Sequence, residues 1–156
     1  MLGSATRQGV AVLVVVLGAS AGFSPVEAGQ SAYEKAISRA VRLLARQPDQ
    51  IVIVERDNQS RFRKGKAHVE AFVADGQRVV YLVRQGVTLQ AALKGPGIYD
   101  YVLATIVWHE MAHIDGANEA AAQEAEEQLW MQFIVARGVD STRGMQYLAL
   151  LRKRRS

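Results

Sequence analysis

The chain has 156 residues, the length of one domain, and no cysteine, which excludes disulfides, thiolate metal ligands and an acyl-lipid anchor on cysteine. The net charge is +4, and eight of the 19 basic residues are gathered in two clusters, Arg61, Arg63, Lys64 and Lys66, and Arg152 to Arg155. In a chain outside the cytoplasm such clusters suit an anionic cell-envelope surface, lipid or wall polymer; the alternative is a solvated loop and a polar tail, and no nucleic-acid partner is expected.

The first segment reads as an address. Met1 to Gly9 carries Arg7 and no acid, Val10 to Ala21 is almost unbrokenly apolar, and Pro25 precedes the small-residue exit Val26-Glu27-Ala28. This is the pattern of a signal peptide over 1–28 cleaved near Ala28, since the apolar run falls short of the ~20 residues of a membrane span. An uncleaved anchor is the alternative. The working domain expected is 29–156, exported to the periplasm or secreted.

Within that domain, Ser31 to Gln47 has helical spacing at Ala36, Ile37, Ala40, Val41, Leu43 and Leu44, opened by Ser31 with Glu34 as a capping box and ended by Pro48-Asp49. "IVIVER", Ile51 to Arg56, reads as a strand, and His68 to Val73 as a second. Asp75-Gly76 signals a hairpin turn, and "VVYLV", Val79 to Val83, is the third strand. "KGPG" at Lys94 to Gly97 is a loop. From Ile98 the helical period returns in one long helix that stops near Gly116. Asn118 caps the next helix, Glu119 to Ala136, closed by Gly138, and Asp140 begins a last one holding Tyr147 and Leu151. One helix, three strands and three helices predict an α+β fold, a small, mainly antiparallel sheet covered by helices.

The long helix ends in "WHEMAHIDGANE", Trp108 to Glu119, which holds two of the chain's three histidines. Positions i and i+4 share a helix face, so His109 and His113 can aim both imidazoles at one ion, with Zn–N distances of ~2.0–2.1 Å. Glu110 is rotated by about 100 degrees and flanks such an ion, where it can take a proton from a bound water. A catalytic zinc needs a third protein ligand and an open fourth position. Glu119, Glu124, Glu126 and Glu127 are the rival candidates for the third ligand, while His68 lies on a strand away from the motif.

This stretch resembles the zincin metallopeptidases, closely here and more loosely in the strand before and the helix after. Read as His-Glu-x-x-His-x-x-Gly-x-x-ligand it is similar to metzincins, with Gly116 at the turn and Glu119 where that group has its third ligand, most often histidine. Read from Asn118, "NEAAAQ" is similar to the Asn-Glu-x-x-x-Asp segment of gluzincins, again with Glu119 as ligand, but with Gln123 in place of the aspartate that supports a zinc histidine. Asp115 is more polar than its position usually is. The resemblance implies a Zn2+ held by His109, His113 and Glu119, Glu110 as general base, and Tyr147 or Arg143 as oxyanion stabiliser. It also implies an extended peptide or protein substrate along an edge strand above the helix, here "VVYLV". The expected function is that of an exported zinc metallopeptidase. The alternative from another class is a non-catalytic envelope module binding anionic polymer or lipid through the basic clusters, with a structural metal or none.

Overall fold

The computed structural model describes residues 13–15, 31–55 and 69–153. Arg61, Arg63, Lys64, Lys66, His68, Arg154, Arg155 and most of the leader-like segment lie outside the described residues. The elements are β1 (Leu13–Val15), α1 (Ala32–Val41), β2 (Ile51–Val54), β3 (Ala71–Val73), β4 (Val80–Val83), α2 (Val87–Ala92), α3 (Ile98–Ile114), α4 (Glu119–Val135) and α5 (Ser141–Lys153). The fold is α+β, with the expected helices and strands in the expected order.

Three details differ from the sequence reading. The sheet order is β1-β2-β4-β3, so β4 lies inside the sheet and β3 forms the edge. β2 and β4 run parallel, while β1–β2 and β3–β4 are antiparallel. β3 lies one strand beyond β4's place, and the Asp75-Gly76 hairpin returns the chain between β2 and β3. Gly76 takes φ 72° there, a conformation that costs glycine nothing. Finally, α2 occupies a stretch for which the sequence reading names no element, and β1 falls inside the leader-like run.

α1 and α4 start as their cap residues dictate. The Ser31 hydroxyl accepts from the Glu34 N–H, and the Glu34 carboxylate accepts from the Ser31 N–H, so α1 has its capping box. Beyond Val41 the chain tightens into short turns, Leu43 to Ala40 and Leu44 to Val41, which bury Leu44. The Asn118 side chain accepts from the Ala121 N–H at 3.0 Å and opens α4.

α3 is the axis of the molecule. Val102, Leu103, Ala104, Thr105, Val107 and Met111 are buried on it, against Ile37 and Val41 of α1, Ile51, Ile53, Val80 and Leu82 of the sheet, and Trp130 and Phe133 of α4. A helix with apolar residues on nearly all sides has to be enclosed, not laid on a surface. α5 closes the far side of α4: the Trp130 indole N–H donates to the Gly144 carbonyl at 2.8 Å. A Cβ on Gly144 would stand 2.6 Å from Cγ1 of Ile134, so glycine permits this close approach. That approach brings Tyr147 and Leu151 beside the end of α3. Among the described residues no helix is long and apolar enough to cross a membrane.

The start of α3 is pinned by a nearly buried ion pair. Asp100 accepts from Nε of Arg39 with both carboxylate oxygens, at 3.1 and 3.0 Å, and from the Gly97 N–H at 3.2 Å. The same arginine donates to the Ala92 carbonyl at 2.6 Å, so one guanidinium joins α1, the end of α2 and the start of α3. The side chain of Asp100 is 8% exposed and that of Arg39 27%, so the two are unequal when orphaned. Arg39→Ala strands a buried carboxylate and should cost about 3 kcal/mol, whereas Asp100→Ala leaves a cation able to reach water and should cost about 2 kcal/mol. Urea unfolding of both variants checks that order.

Candidate metal centre

His109, Glu110 and His113 occupy the last two turns of α3, where the helix leaves its apolar surroundings and meets α4. Asp115 and Gly116 turn the chain, Gly116 at φ 92°, and Asn118 restarts it so that Glu119 stands in the first turn of α4. The structure thereby brings together His109, His113 and Glu119, the three side chains that the sequence reading nominates as ligands. The two Nε2 atoms lie 3.2 Å apart. Oε2 of Glu119 lies 3.3 Å from Nε2 of His113 and 3.9 Å from Nε2 of His109. In a tetrahedral zinc site with bonds of ~2.0–2.1 Å, ligand atoms are separated by about 3.3–3.4 Å, so the triangle matches on two edges and is some tenths of an ångström open on the third.

The hydrogen bonding around the triangle argues in the same direction. Nδ1 of His113 lies 2.9 Å from the carbonyl oxygen of Ala117. A carbonyl only accepts, so this contact makes Nδ1 the donor and leaves a lone pair on Nε2. Nδ1 of His109 lies 3.2 Å from Oε2 of Glu126. That is ion-pair distance at an angle short of a hydrogen bond, and Nδ1 and the other oxygen of Glu126 are both buried without a hydrogen-bond partner. Gln123 donates to Oε1 of Glu119 at 2.8 Å and leaves Oε2 toward the histidines. The Nε2 lone pair of His113, Nε2 of His109 and a carboxylate oxygen face one another, an arrangement that requires a proton or a cation among them. The donor set of two imidazoles and one carboxylate fits zinc and similar divalent ions.

Glu110 is 9% exposed and lines the same cleft. Burial lifts its carboxyl above the ordinary glutamate range; positive charge on His109 and His113 opposes the shift, and the carboxylates of Glu119 and Glu126 add to it. For His109, burial pulls the pKa down, but the carboxylates of Glu126, Glu110 and Glu119 together outweigh it and the net shift is upward.

The other candidates separate. Glu124 accepts from Gln128 on the outer face of α4, and Glu127 binds Arg152 through two contacts, 2.8 and 2.6 Å. Neither enters the group. Glu126 is buried but sits behind His109, on the other nitrogen of its ring. Tyr147 lines the cleft and packs its ring, tilted by 56°, against Trp130 with ring centres 4.4 Å apart, while Arg143 is exposed and does not line it. Asp115 is the C-cap of α3 and is held by Arg46 through both guanidinium nitrogens, which holds its carboxyl below the usual range and offsets the unfavourable placing of an anion at a helix C-terminus. Its polarity is therefore explained outside the metal group. The expectation that "VVYLV" is the docking edge is overturned: β4 is paired on both sides, and the cleft of about 1390 Å³ is walled by residues 69–78, which include edge strand β3 and its hairpin.

Glu126 is what the sequence reading placed among its rivals without giving it this role. Its position was legible. Ala122, Glu126, Leu129, Trp130 and Phe133 form the buried stripe of α4, so a glutamate stands where the helical period calls for an apolar residue.

Comparison with protein-family models, with curated proteins and with solved structures gives no match for this chain.

In the metal-free protein the raised pKa of Glu110 has a stability consequence. The folded state binds this proton more tightly than the unfolded chain, so its contribution is complete at low pH and is lost as pH rises through the folded pKa. Glu110→Gln removes that loss. Thermal melts of the chelator-treated proteins should show the variant melting above the parent at neutral pH, with the gap closing as pH falls below the ordinary glutamate range. An equal gap at all pH values would contradict the assignment.

Proposed function

We propose that the chain is a zinc-dependent peptidase, exported by its N-terminal segment and working as the domain 29–156. The observation that supports it most is the convergence of two imidazole Nε2 atoms and one carboxylate oxygen within 3.2–3.9 Å, beside a buried glutamate. The His-Glu-x-x-His spacing and its likeness to zincins add to it. A structural site has no use for a titratable carboxylate held next to the ligands in an open cleft.

In this reading His109, His113 and Glu119 hold Zn2+, which when bound supplies an acidified water and a Lewis acid for the scissile carbonyl. Glu110 is the general base: its burial brings its proton affinity nearer to that needed to accept a proton from water and return it to the departing amine. Tyr147, across the cleft on α5, is the group placed to donate to the developing oxyanion. The substrate is an extended peptide. β3 has a strand partner on one side only among the described residues, so its open edge can take a peptide main chain as an added strand. Such pairing reads the backbone and leaves side-chain preference to the cleft's apolar lining, Val87, Ile106, Ile114 and Leu151.

The envelope-binding alternative draws less from the structure. Of its basic clusters only Arg152 and Lys153 are described, and Arg152 is already bound by Glu127.

The purified protein should carry near one zinc per chain, and His113→Ala and Glu119→Ala should lose it; metal analysis reads this directly. Zinc at a hundredfold excess over its Kd should stabilise the chelated protein by about 3 kcal/mol. Zinc retained in Glu119→Ala would move the third ligand elsewhere, and no zinc in the parent even when supplied would sink the peptidase reading. In a peptide-library assay Glu110→Gln should keep the metal and lose on the order of 10²–10⁴-fold in turnover. Tyr147→Phe should lose about 10²-fold in kcat with KM little changed; an unchanged kcat removes the tyrosine from the reaction.

A further inference from the structure

We infer that Glu126 is the positioning residue for His109, setting its tautomer and thereby the affinity of the metal group; the inference rests on the zinc reading above. Three outer contacts back the three ligand side chains, each of a different kind. His113 is backed by the Ala117 carbonyl, Glu119 by the Gln123 amide, and His109 by a carboxylate. In the gluzincin pattern the residue four places after the ligand glutamate supports a histidine. Here that residue, Gln123, supports the ligand glutamate itself, and the histidine's support is displaced by almost a turn, to Glu126.

Its location argues for that role and against a ligand role. Glu126 is 7% exposed, in the apolar stripe of α4 between Ala122 and Trp130, where a carboxylate is costly without a purpose. Its Oε2 stands 3.2 Å from Nδ1, whereas Nε2 is the ring atom that faces His113 and Glu119. One of its oxygens remains buried and unpartnered, and so does Nδ1. A buried acceptor beside a buried ring nitrogen favours the Nδ1–H tautomer, which turns the lone pair of Nε2 toward the ligand group. The negative charge also makes the ring a stronger donor to a cation. Without a metal, Nε2 of His109 can instead donate to Nε2 of His113, 3.2 Å away, so the Glu126 carboxylate is the contact that opposes this Nε2–H form.

The test is zinc competition against a chelator with the full chain, for the parent, Glu126→Gln and Glu126→Leu, with helix content checked by circular dichroism. Removing the charge should weaken zinc about 10-fold, and removing charge and acceptor together should approach 100-fold. A second readout needs no metal and no substitution. Long-range 1H–15N correlation of the chelated parent at mildly alkaline pH should show hydrogen on Nδ1 of His109. In Glu126→Leu the His109 signals should move toward the Nε2–H form while His113, held by the Ala117 carbonyl, keeps its own. A parent that binds zinc while both variants bind within twofold of it overturns the inference, as does an Nε2–H His109 in the parent. A parent that binds no zinc, with the tautomer still dependent on Glu126, overturns the metal reading and leaves the positioning of the ring standing.

Discussion

A helix that is apolar on almost every side can exist in water only if other elements enclose it, and α3 is that helix. Its first turns are wrapped by α1, α2, the sheet and α4, and its two internal polar residues are satisfied on the spot. Thr105 donates to the Val102 carbonyl, and Asp100 is held by Arg39 and the Gly97 N–H. The enclosure opens on one face where the sequence turns polar, at His109, while Met111 on the other face stays in the core. On that open face a cleft is walled by residues 69–78, by Glu119, Gln123 and Glu126 of α4, and by Tyr147 and Leu151 of α5. The candidate site is the place where the enclosure of α3 opens.

Both ends of α3 are anchored by arginines from α1 and the turns after it. Arg39 pairs with Asp100 at the start, and Arg46 holds Asp115 at the end while its guanidinium lies 6.0 Å from the ring centre of Trp108. Rigid anchorage matters because the ligand group straddles a tight turn. His113 closes one helix and Glu119 opens the next, with Gly116 and the Ala117 carbonyl between them. A metal group spanning a loose turn would bear the ordering entropy of that turn on each binding event. The 115–118 turn is instead preset by its own hydrogen bonds, Ala117 N–H to the Ala112 carbonyl among them.

The same junction concentrates electrostatic tension. Glu110 and Glu126 are both nearly buried, and they flank His109 from two sides. Burial raises the cost of the Glu110 carboxylate, and the imidazoles recover only part of it. In a core built for stability alone these positions would be apolar, as their neighbours Val107, Leu129 and Trp130 are. Such a departure from the pattern of a helix's buried stripe is expected where chemistry is held ready at the expense of stability.

Much of this could be read from the chain alone. Helix-period and strand-period patterns, the Ser31 capping box, the Asp75-Gly76 turn and the Asn118 cap are local, each decided by residues within a few positions of one another. The i, i+4 pairing of His109 and His113 is local too, because helix geometry alone places them on one face. What lay beyond the sequence were the relations between elements distant in the chain. The order β2-β4-β3, which among the described residues leaves β3 and not β4 at the edge, is a pairing between strands distant in the chain, and no short-range signal encodes that. The role of Glu126 depends on the crossing of α3 and α4, which sets a carboxylate on one helix behind a ring on the other. Asp115 looked like a departure from a motif until Arg46, far earlier in the chain, was seen to hold it. Local patterns determined which residues could act; tertiary packing decided which of them meet, because only packing fixes distances between side chains that the chain itself leaves free.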